Sequence, residues 1–296
     1  WKTYVMGPEE IGDKTASVKV EERTSAVMSE GRQRFEVTQV RKDGTAFPAE
    51  VSLRVFDYMG SPAIIATMRD MTERKRAEES ILRANEKLSL LGAITRHDIS
   101  NKLMAIYGYL EVLGEKQDEE TKKKWVAKAK DSATVIAEQL RFAGDYQKAG
   151  TKEPVWTEMG ATITAAAEGF EVQRIAISPD LTGLEVLADP MVDKVFWNLI
   201  DNAVRHGDGV TRIDFSVRGE GKDIVIVVED DGGGISPEDK KKIFEAGYGR
   251  NTGMGLFLVR EILGITSIGI TETGDADTGA RFELRIPEGK FRRASH

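Results

Sequence analysis

The pattern of apolar and polar positions divides the chain into three stretches. In the first, up to about residue 70, apolar and polar residues alternate over 34–40, 47–56 and 63–68, and short turns containing glycine separate these runs. Alternation with a period of two between glycine turns is typical of strands joined by hairpins. This stretch is therefore predicted to form a three-stranded antiparallel meander.

The second stretch has the spacing of a helix. Its apolar residues recur every three to five positions: Leu91, Ile94, Ile99, Leu103, Ile106, Leu110 and Leu113. Asp70 followed by Glu73 is a helix-start signal, and only isolated glycines interrupt the pattern as far as Leu113. We expect one helix of roughly 65 Å there, at 1.5 Å per residue.

A second helix is predicted over residues 119–143, after a short polar loop. Its apolar face consists of Trp125, Ala129, Ala133, Ile136 and Leu140. Two long helices with a short connection form an antiparallel hairpin, and apolar faces this narrow leave the hairpin in need of a partner. A second copy of the chain, completing a four-helix bundle, is the simplest partner.

From about residue 151 the pattern changes to mixed α and β. A helix is predicted to begin at Asp189-Pro190, strands over 211–218 and 223–229, and a further helix over 256–263. The run 224–228 is continuously apolar, as is typical of a central strand. The predicted fold class is multidomain α+β, with domains at 1–70, 71–150 and 151–296.

Composition excludes several classes of protein. The 296 residues suffice for two or three domains, and a formal net charge of −7 argues against a general nucleic-acid-binding surface. The absence of cysteine excludes disulfides and thiolate metal sites. No apolar run approaches the roughly 18 residues of a membrane span, so no membrane contact is expected. The chain begins with Trp1 instead of Met, and we interpret it as a fragment.

His97 is one of only three histidines and lies in the middle of the long helical pattern. It is two residues, about 200° of rotation, from Ile99 and should point away from the apolar seam. Asn101, one turn on, shares its face, and Asp98 lies beside it. One nitrogen of a neutral imidazole can attack phosphorus while a carboxylate accepts a hydrogen bond from the other. The alternative is a solvated helix face that carries a histidine.

Two glycine-rich segments follow the apolar strand. Asp230 ends that strand and precedes Gly232 and Gly234, whereas Gly253 and Gly255 open the last helix. Glycine lets the backbone approach a ligand closely, and a helix N-terminus offers free N–H groups to phosphate. An aspartate at a strand end can accept a hydrogen bond from an exocyclic amine. Such glycines can also be tight turns only, and neither segment is a Walker sequence.

Asn198, Asn202 and Arg205 occupy positions i, i+4 and i+7 and share one face of the helix before that strand. Mere solvent exposure would explain the same spacing. The surrounding run, 198–207, reads NLIDNAVRHG.

Taken together, these segments resemble the sensor histidine kinases of two-component signalling, within the ATPase superfamily that also holds gyrase, heat-shock chaperones and mismatch-repair ATPases. The resemblance covers 31–76 for the tail of a PAS domain, 92–110 for the phosphoacceptor box and 184–287 for the catalytic domain. It implies a partial PAS antiparallel sheet, a helical hairpin forming a dimeric four-helix bundle, and an α/β sandwich ATPase domain of the GHKL type. The PAS part would bind a ligand, or dimerise and relay a signal, or only cap the helix that follows.

The resemblance also assigns roles to residues. It implies that His97 is the phosphoacceptor, Asp98 its activating neighbour and Asn101 a residue that helps to dephosphorylate the partner. Asn202, with Asn198 beside it, would bind Mg²⁺. The implied nucleotide contacts are Asn198, Asn202, Arg205, His206, Asp230 for adenine, Gly232, Gly234, Arg250, Gly253 and Gly255. Residues 243–245 resemble the hydrophobic anchor of an ATP lid, here the short segment 235–252.

The activity implied is autophosphorylation of His97 from ATP and Mg²⁺, transfer to an aspartate of a response regulator, and dephosphorylation of that regulator. A homodimer is expected, either cytoplasmic or as the cytoplasmic part of a membrane-anchored sensor. Two alternatives stay open: another ATPase of the superfamily, and a degenerate kinase serving as a dimeric scaffold. The chain departs from the family at Lys102, where many members have proline, and at Asn251, where the second loop usually has glycine.

Overall fold

The computed structural model shows two compact units, residues 1–88 and 89–296. It describes residues 2–5, 26–93, 98–114, 118–170, 172, 174–249, 252–276 and 278–293. The second unit contains both the helical hairpin and the mixed α/β part. The predicted division into three domains, at 70/71 and 150/151, stays a prediction.

The first unit contains a four-stranded antiparallel sheet in the order β1-β4-β3-β2. Its strands are β1 (Lys2–Val5), β2 (Arg32–Val40), β3 (Ala46–Tyr58) and β4 (Ser61–Asp70). The predicted meander is confirmed as β2 to β4. Strand β1, which pairs with β4, was not predicted, because four residues are too few to show an alternating pattern.

Helix α1 (Thr72–Ala93) begins where the sequence predicts. The Oδ1 atom of Asp70 accepts hydrogen bonds from the backbone N–H of Thr72, at 2.8 Å, and from its hydroxyl, at 2.6 Å. These bonds, with Arg41, lower the pKa of Asp70 to about 2. The predicted continuity of this helix with the next one depends on residues 94–97, which lie outside the described residues.

The hairpin consists of α2 (Ile99–Leu113) and α3 (Glu119–Lys148), and the rings of Tyr109 and Trp125 stack between them, 5.5 Å apart. Helix α3 extends five residues beyond the predicted end, because Phe142 and Tyr146 in its last turns are buried. The predicted apolar face of α3 is only partly buried within the chain, and Leu140 is 56% exposed.

The rest of the second unit is a mixed α/β fold with two sheets, in the orders β10-β11-β9-β8-β6 and β12-β7-β5. Its elements are β5 (Val155–Glu158), α4 (Met159–Ala167), β6 (Arg174–Ile177), β7 (Leu184–Ala188), α5 (Val192–His206), β8 (Arg212–Glu220), β9 (Asp223–Asp230), α6 (Gly255–Gly264), β10 (Gly269–Glu272), β11 (Arg281–Ile286) and β12 (Phe291–Arg293).

The core of this fold lies between the five-stranded sheet and the helices α5 and α6. Strand β9 is central, with β8 and β11 on its two sides, and its residues 225–228 are all buried. The prediction from the continuous apolar run is thus confirmed. Among the described residues, no helix is both long and apolar enough to cross a membrane.

Candidate functional site

A cavity of about 840 Å³ lies where α5, α6 and the end of β9 meet the second half of α3. Many of the predicted site residues line it: Asn198, Asn202, Arg205, His206, Asp230, Gly234, Gly253 and Gly255. Gly232 lies behind this lining, and Asp98 and Asn101 lie on the hairpin away from it. His97 and Arg250 lie outside the described residues.

Asp230 forms part of the cavity wall and is only 8% exposed. Its Oδ1 atom accepts hydrogen bonds from the backbone N–H groups of Gly232, at 3.0 Å, and Ala280, at 3.1 Å. Burial raises the pKa of this carboxyl group despite those two bonds. Within the described part of the chain Oδ2 has no donor, so it can accept a hydrogen bond from a ligand.

The neighbouring carboxylate, Asp231, points elsewhere and has the opposite pKa shift. It accepts hydrogen bonds from the hydroxyl of Thr211 and from the backbone N–H groups of Thr211 and Arg212, at 2.5 to 2.9 Å. These bonds lower the pKa of Asp231 to about 2. Asp231 therefore ties the start of β8 to the end of β9, and Asp230 is the carboxylate that faces the cavity.

The two asparagines of α5 face the N-terminus of α6 across the cavity. Asn198 donates a hydrogen bond to the carbonyl oxygen of Lys194 at 2.7 Å, and its own Oδ1 lies close to Gly255. A Cβ atom at position 255 would be 2.9 Å from that oxygen, so a larger residue there would have to displace the Asn198 side chain. The first N–H groups of α6 can therefore reach a ligand near Asn198 and Asn202.

The amide of Asn202 fits a role as a magnesium ligand. Its Nδ2 atom is buried and, within the described residues, has no hydrogen-bond partner, so the protein leaves this donor unsatisfied. Amide oxygens are hard ligands of the kind Mg²⁺ accepts, and Mg²⁺ usually adds phosphate oxygens and water to one or two protein ligands. No cluster of three or more His, Cys, Asp or Glu side chains suited to a metal occurs among the described residues.

Gly232 has a structural role that the sequence did not show. A Cβ atom there would collide with the backbone of Gly207, at the end of α5, and the N–H of Gly233 donates to the carbonyl oxygen of Gly207 at 2.9 Å. The close approach holds the first glycine segment against α5. Gly232 thus shapes the cavity without lining it.

The described part of the segment between the two glycine pairs, residues 235–249, packs against the sheet through one buried ring. Phe244 is 6% exposed and packs edge-on against Phe282, with ring centroids 6.3 Å apart. The hydroxyl of Tyr248, which lines the cavity, donates to Asp239 at 2.5 Å. Of the anchor predicted at 243–245, Phe244 is buried, Ile243 is half-buried and Glu245 is exposed.

Residues of the hairpin also reach this cavity, and sequence reasoning missed them. Glu138 and Arg141 of α3 line it, and Glu138 forms an ion pair with Arg205 at 2.5 Å. Arg205 also pairs with Asp201, at 2.8 Å. No local pattern marks Glu138, because its contact with α5 joins residues 67 positions apart.

A family model described as the histidine kinase-, DNA gyrase B- and HSP90-like ATPase matches residues 189–290. The sensor protein CitS of Halalkalibacterium halodurans is 30% identical over 233 residues, which are 76% of this chain and 41% of that protein. CitS of Bacillus subtilis is 31% identical over 246 residues, or 77% of this chain and 41% of that protein. The chain thus spans about 41% of the length of these relatives.

The fold is also that of a solved kinase. The crystal structure of the histidine kinase ThkA in complex with the response regulator protein TrrA matches 92% of this chain and 84% of its own chain, with a TM-score of 0.54 and 20% identity. At that identity the likeness concerns the fold alone.

Proposed function

Because the chain belongs to the sensor histidine kinases and carries an ATPase domain of the GHKL type, we propose that it transfers the γ-phosphoryl group of ATP to His97. The observation that carries the proposal is the arrangement around one cavity of a buried carboxylate, an amide with an unsatisfied donor and a helix N-terminus. These are the groups needed for the base, the metal and the phosphates of a nucleotide.

Asp230 would bind the adenine. Its Oδ2 atom would accept a hydrogen bond from the exocyclic amine, while Oδ1 stays bonded to Gly232 and Ala280. The triphosphate would extend towards Gly253 and Gly255, where the N–H groups of α6 offset its charge. Arg205, His206, Arg250 and Gly234 are proposed as further contacts.

Asn202, with Asn198 beside it, would hold Mg²⁺ through the amide oxygen. The ion would neutralise charge on the phosphates as the bond between the β- and γ-phosphates breaks. The asparagines would also fix the position of the triphosphate relative to the first turn of α6.

His97 would attack through one ring nitrogen, forming the P–N bond as ADP leaves. Asp98 would accept a hydrogen bond from the other ring nitrogen and so hold the ring in the reactive tautomer. The phosphoryl group would then pass to an aspartate of a response regulator. Asn101, a neutral amide, would orient water for dephosphorylation of that regulator.

We further propose a homodimer through the hairpin. Helix α2 has no buried residue within the chain, and the side chains of Leu103, Tyr107 and Leu110 are 45%, 69% and 55% exposed. A second hairpin would cover them in a four-helix bundle. The sheet of the first unit is proposed to be the end of a PAS domain.

The test is incubation of the full chain with labelled ATP and Mg²⁺. We expect an acid-labile phosphate on the protein, and none on the variant His97→Gln, which should bind ATP as tightly as the wild type. Label persisting in that variant, on His206 for example, would refute the assignment. ATP hydrolysis without labelling would favour another ATPase of the superfamily, and absence of nucleotide binding would favour a scaffold.

A further inference from the structure

Glu272, the last residue of β10, is a buried carboxylate outside the cavity. Its side chain is 0% exposed. The Oε1 atom accepts hydrogen bonds from the backbone N–H groups of Gly274, at 3.0 Å, and Arg281, at 3.2 Å. These bonds shape the loop between β10 and β11. Charged side chains buried this deeply are almost always paired with an opposite charge.

The cation comes from the segment 235–249. The Nζ atom of Lys240 lies 2.8 Å from Oε2 of Glu272 and also donates to the carbonyl oxygen of Gly274. Oε2 itself has no aligned hydrogen bond among the described residues, so its contact with Lys240 is electrostatic. In the described part of the chain, Lys240 is the one cation within ion-pair distance of Glu272.

The loop between β10 and β11, which Lys240 contacts at Gly274, also contacts Asp230 at Ala280. The N–H of Ala280 donates to the carboxylate of Asp230, and its carbonyl oxygen accepts from the N–H of Asp230 at 3.0 Å. On the other side, the carbonyl oxygen of Asp275 lies against Gly234, where an added Cβ would be only 2.8 Å away. The loop is thus fixed at one end by Lys240 and at the other by Asp230.

We propose that Lys240 is a positioning residue for nucleotide binding: by neutralising Glu272 it fixes the loop that orients Asp230. The inference rests on the proposed function, since it concerns the same nucleotide site. Lys240 itself lies outside the cavity lining and acts through Glu272 and Ala280.

The test is the variant Lys240→Met in the full chain, with binding of a non-hydrolysable ATP analogue and its GTP counterpart measured by calorimetry with Mg²⁺ present. Loss of one charge-assisted contact should weaken binding of the ATP analogue at least about tenfold. The preference for the ATP over the GTP analogue should also fall, because Asp230 is the proposed base contact. The matched control is Lys241→Met, which removes an exposed lysine and should bind like the wild type.

A second variant separates positioning from general stability. In Lys240→Met/Glu272→Gln no buried charge is left without a partner, and the glutamine oxygen can still accept from Gly274 and Arg281. This variant should fold even if Lys240→Met does not, and it should recover most of the affinity. A double variant as weak as Lys240→Met, or a folded Lys240→Met with wild-type affinity and base preference, would overturn the inference. Failure of the wild-type chain to bind the ATP analogue would instead refute the proposed function.

Discussion

Two adjacent carboxylates, Asp230 and Asp231, differ in chemistry because one turns towards the cavity and the other towards β8. Burial raises the pKa of Asp230, whereas hydrogen bonds lower that of Asp231 to about 2. A raised pKa in the folded state means that ionisation of Asp230 opposes folding at neutral pH. A buried carboxylate kept at such a cost, with one oxygen facing a cavity, is typical of a binding residue.

The variant Asp230→Asn should therefore lose ATP binding without losing stability. Its amide oxygen can still accept from Gly232 and Ala280, but its Nδ2 would place N–H groups opposite the adenine amine, weakening binding at least about tenfold. The free energy of unfolding at neutral pH should be unchanged or higher. That difference should vanish below about pH 4, where the carboxyl group of the unfolded wild type is protonated. Calorimetry and denaturant titration measure the two effects.

The control is Asp231→Asn, for which the opposite is expected. The pKa of Asp231 is lowered on folding, so its contribution to stability is present above about pH 4 and is lost as the pH falls through about 2. At neutral pH this variant should be less stable and should retain its ATP binding. Equal effects of the two substitutions on ATP affinity would contradict the assignment of Asp230.

At the scale of single elements, the hairpin carries apolar side chains that its own chain does not bury. Its two helices contact each other through Tyr109 and Trp125, yet apolar residues of both helices, such as Leu110 and Leu140, are more than half exposed. An exposed apolar stripe along two paired helices indicates an interface.

The full chain should accordingly sediment at twice its monomer mass of 32.7 kDa at micromolar concentration. Leu103→Glu with Leu110→Glu should give a folded monomer that still binds ATP, because charges would enter the proposed interface and leave the cavity untouched. Met59→Glu, at a position that is 88% exposed in the first unit, is the control and should stay dimeric. A wild-type chain that sediments as a monomer would argue against the bundle.

At the scale of the second unit, the second half of α3, one of the two hairpin helices, forms part of the cavity wall. Phe142 and Tyr146 stack with each other and pack against Phe257 of α6, with ring centroids 5.5 to 6.2 Å apart. Beside this aromatic cluster, Glu138 pairs with Arg205, a residue proposed to contact the nucleotide. A phosphate and Glu138 would then compete for one guanidinium group.

Removal of the competing carboxylate in Glu138→Gln should raise the affinity for ATP about two- to fivefold, matching the roughly 0.5–1 kcal/mol of a partly exposed ion pair. The control is Glu119→Gln on the same helix, which loses only a surface pair with Lys122 and should bind ATP like the wild type. Weaker ATP binding by Glu138→Gln would show that Glu138 supports the site and does not compete with the nucleotide.

The sequence alone determined the features that depend on neighbouring residues. The strands β2 to β4, the central strand β9 and the start of α1 after Asp70 follow from side-chain periodicity and helix capping, which act over a few positions. The grouping of Asn198 and Asn202 on one face of α5 follows from helical spacing. The roles of the predicted site residues stay predictions.

Only the tertiary structure decided which groups face each other across long sequence separations. Because every residue from 225 to 228 is buried, alternation along β9 could not show which aspartate turns into the cavity. Two ion pairs join segments that are distant in the sequence: Glu138 with Arg205, and Lys240 with Glu272. The extension of α3 to Lys148 likewise depends on packing against a distant segment. Such contacts depend on how whole elements pack, and no local pattern of apolar and polar residues records that packing.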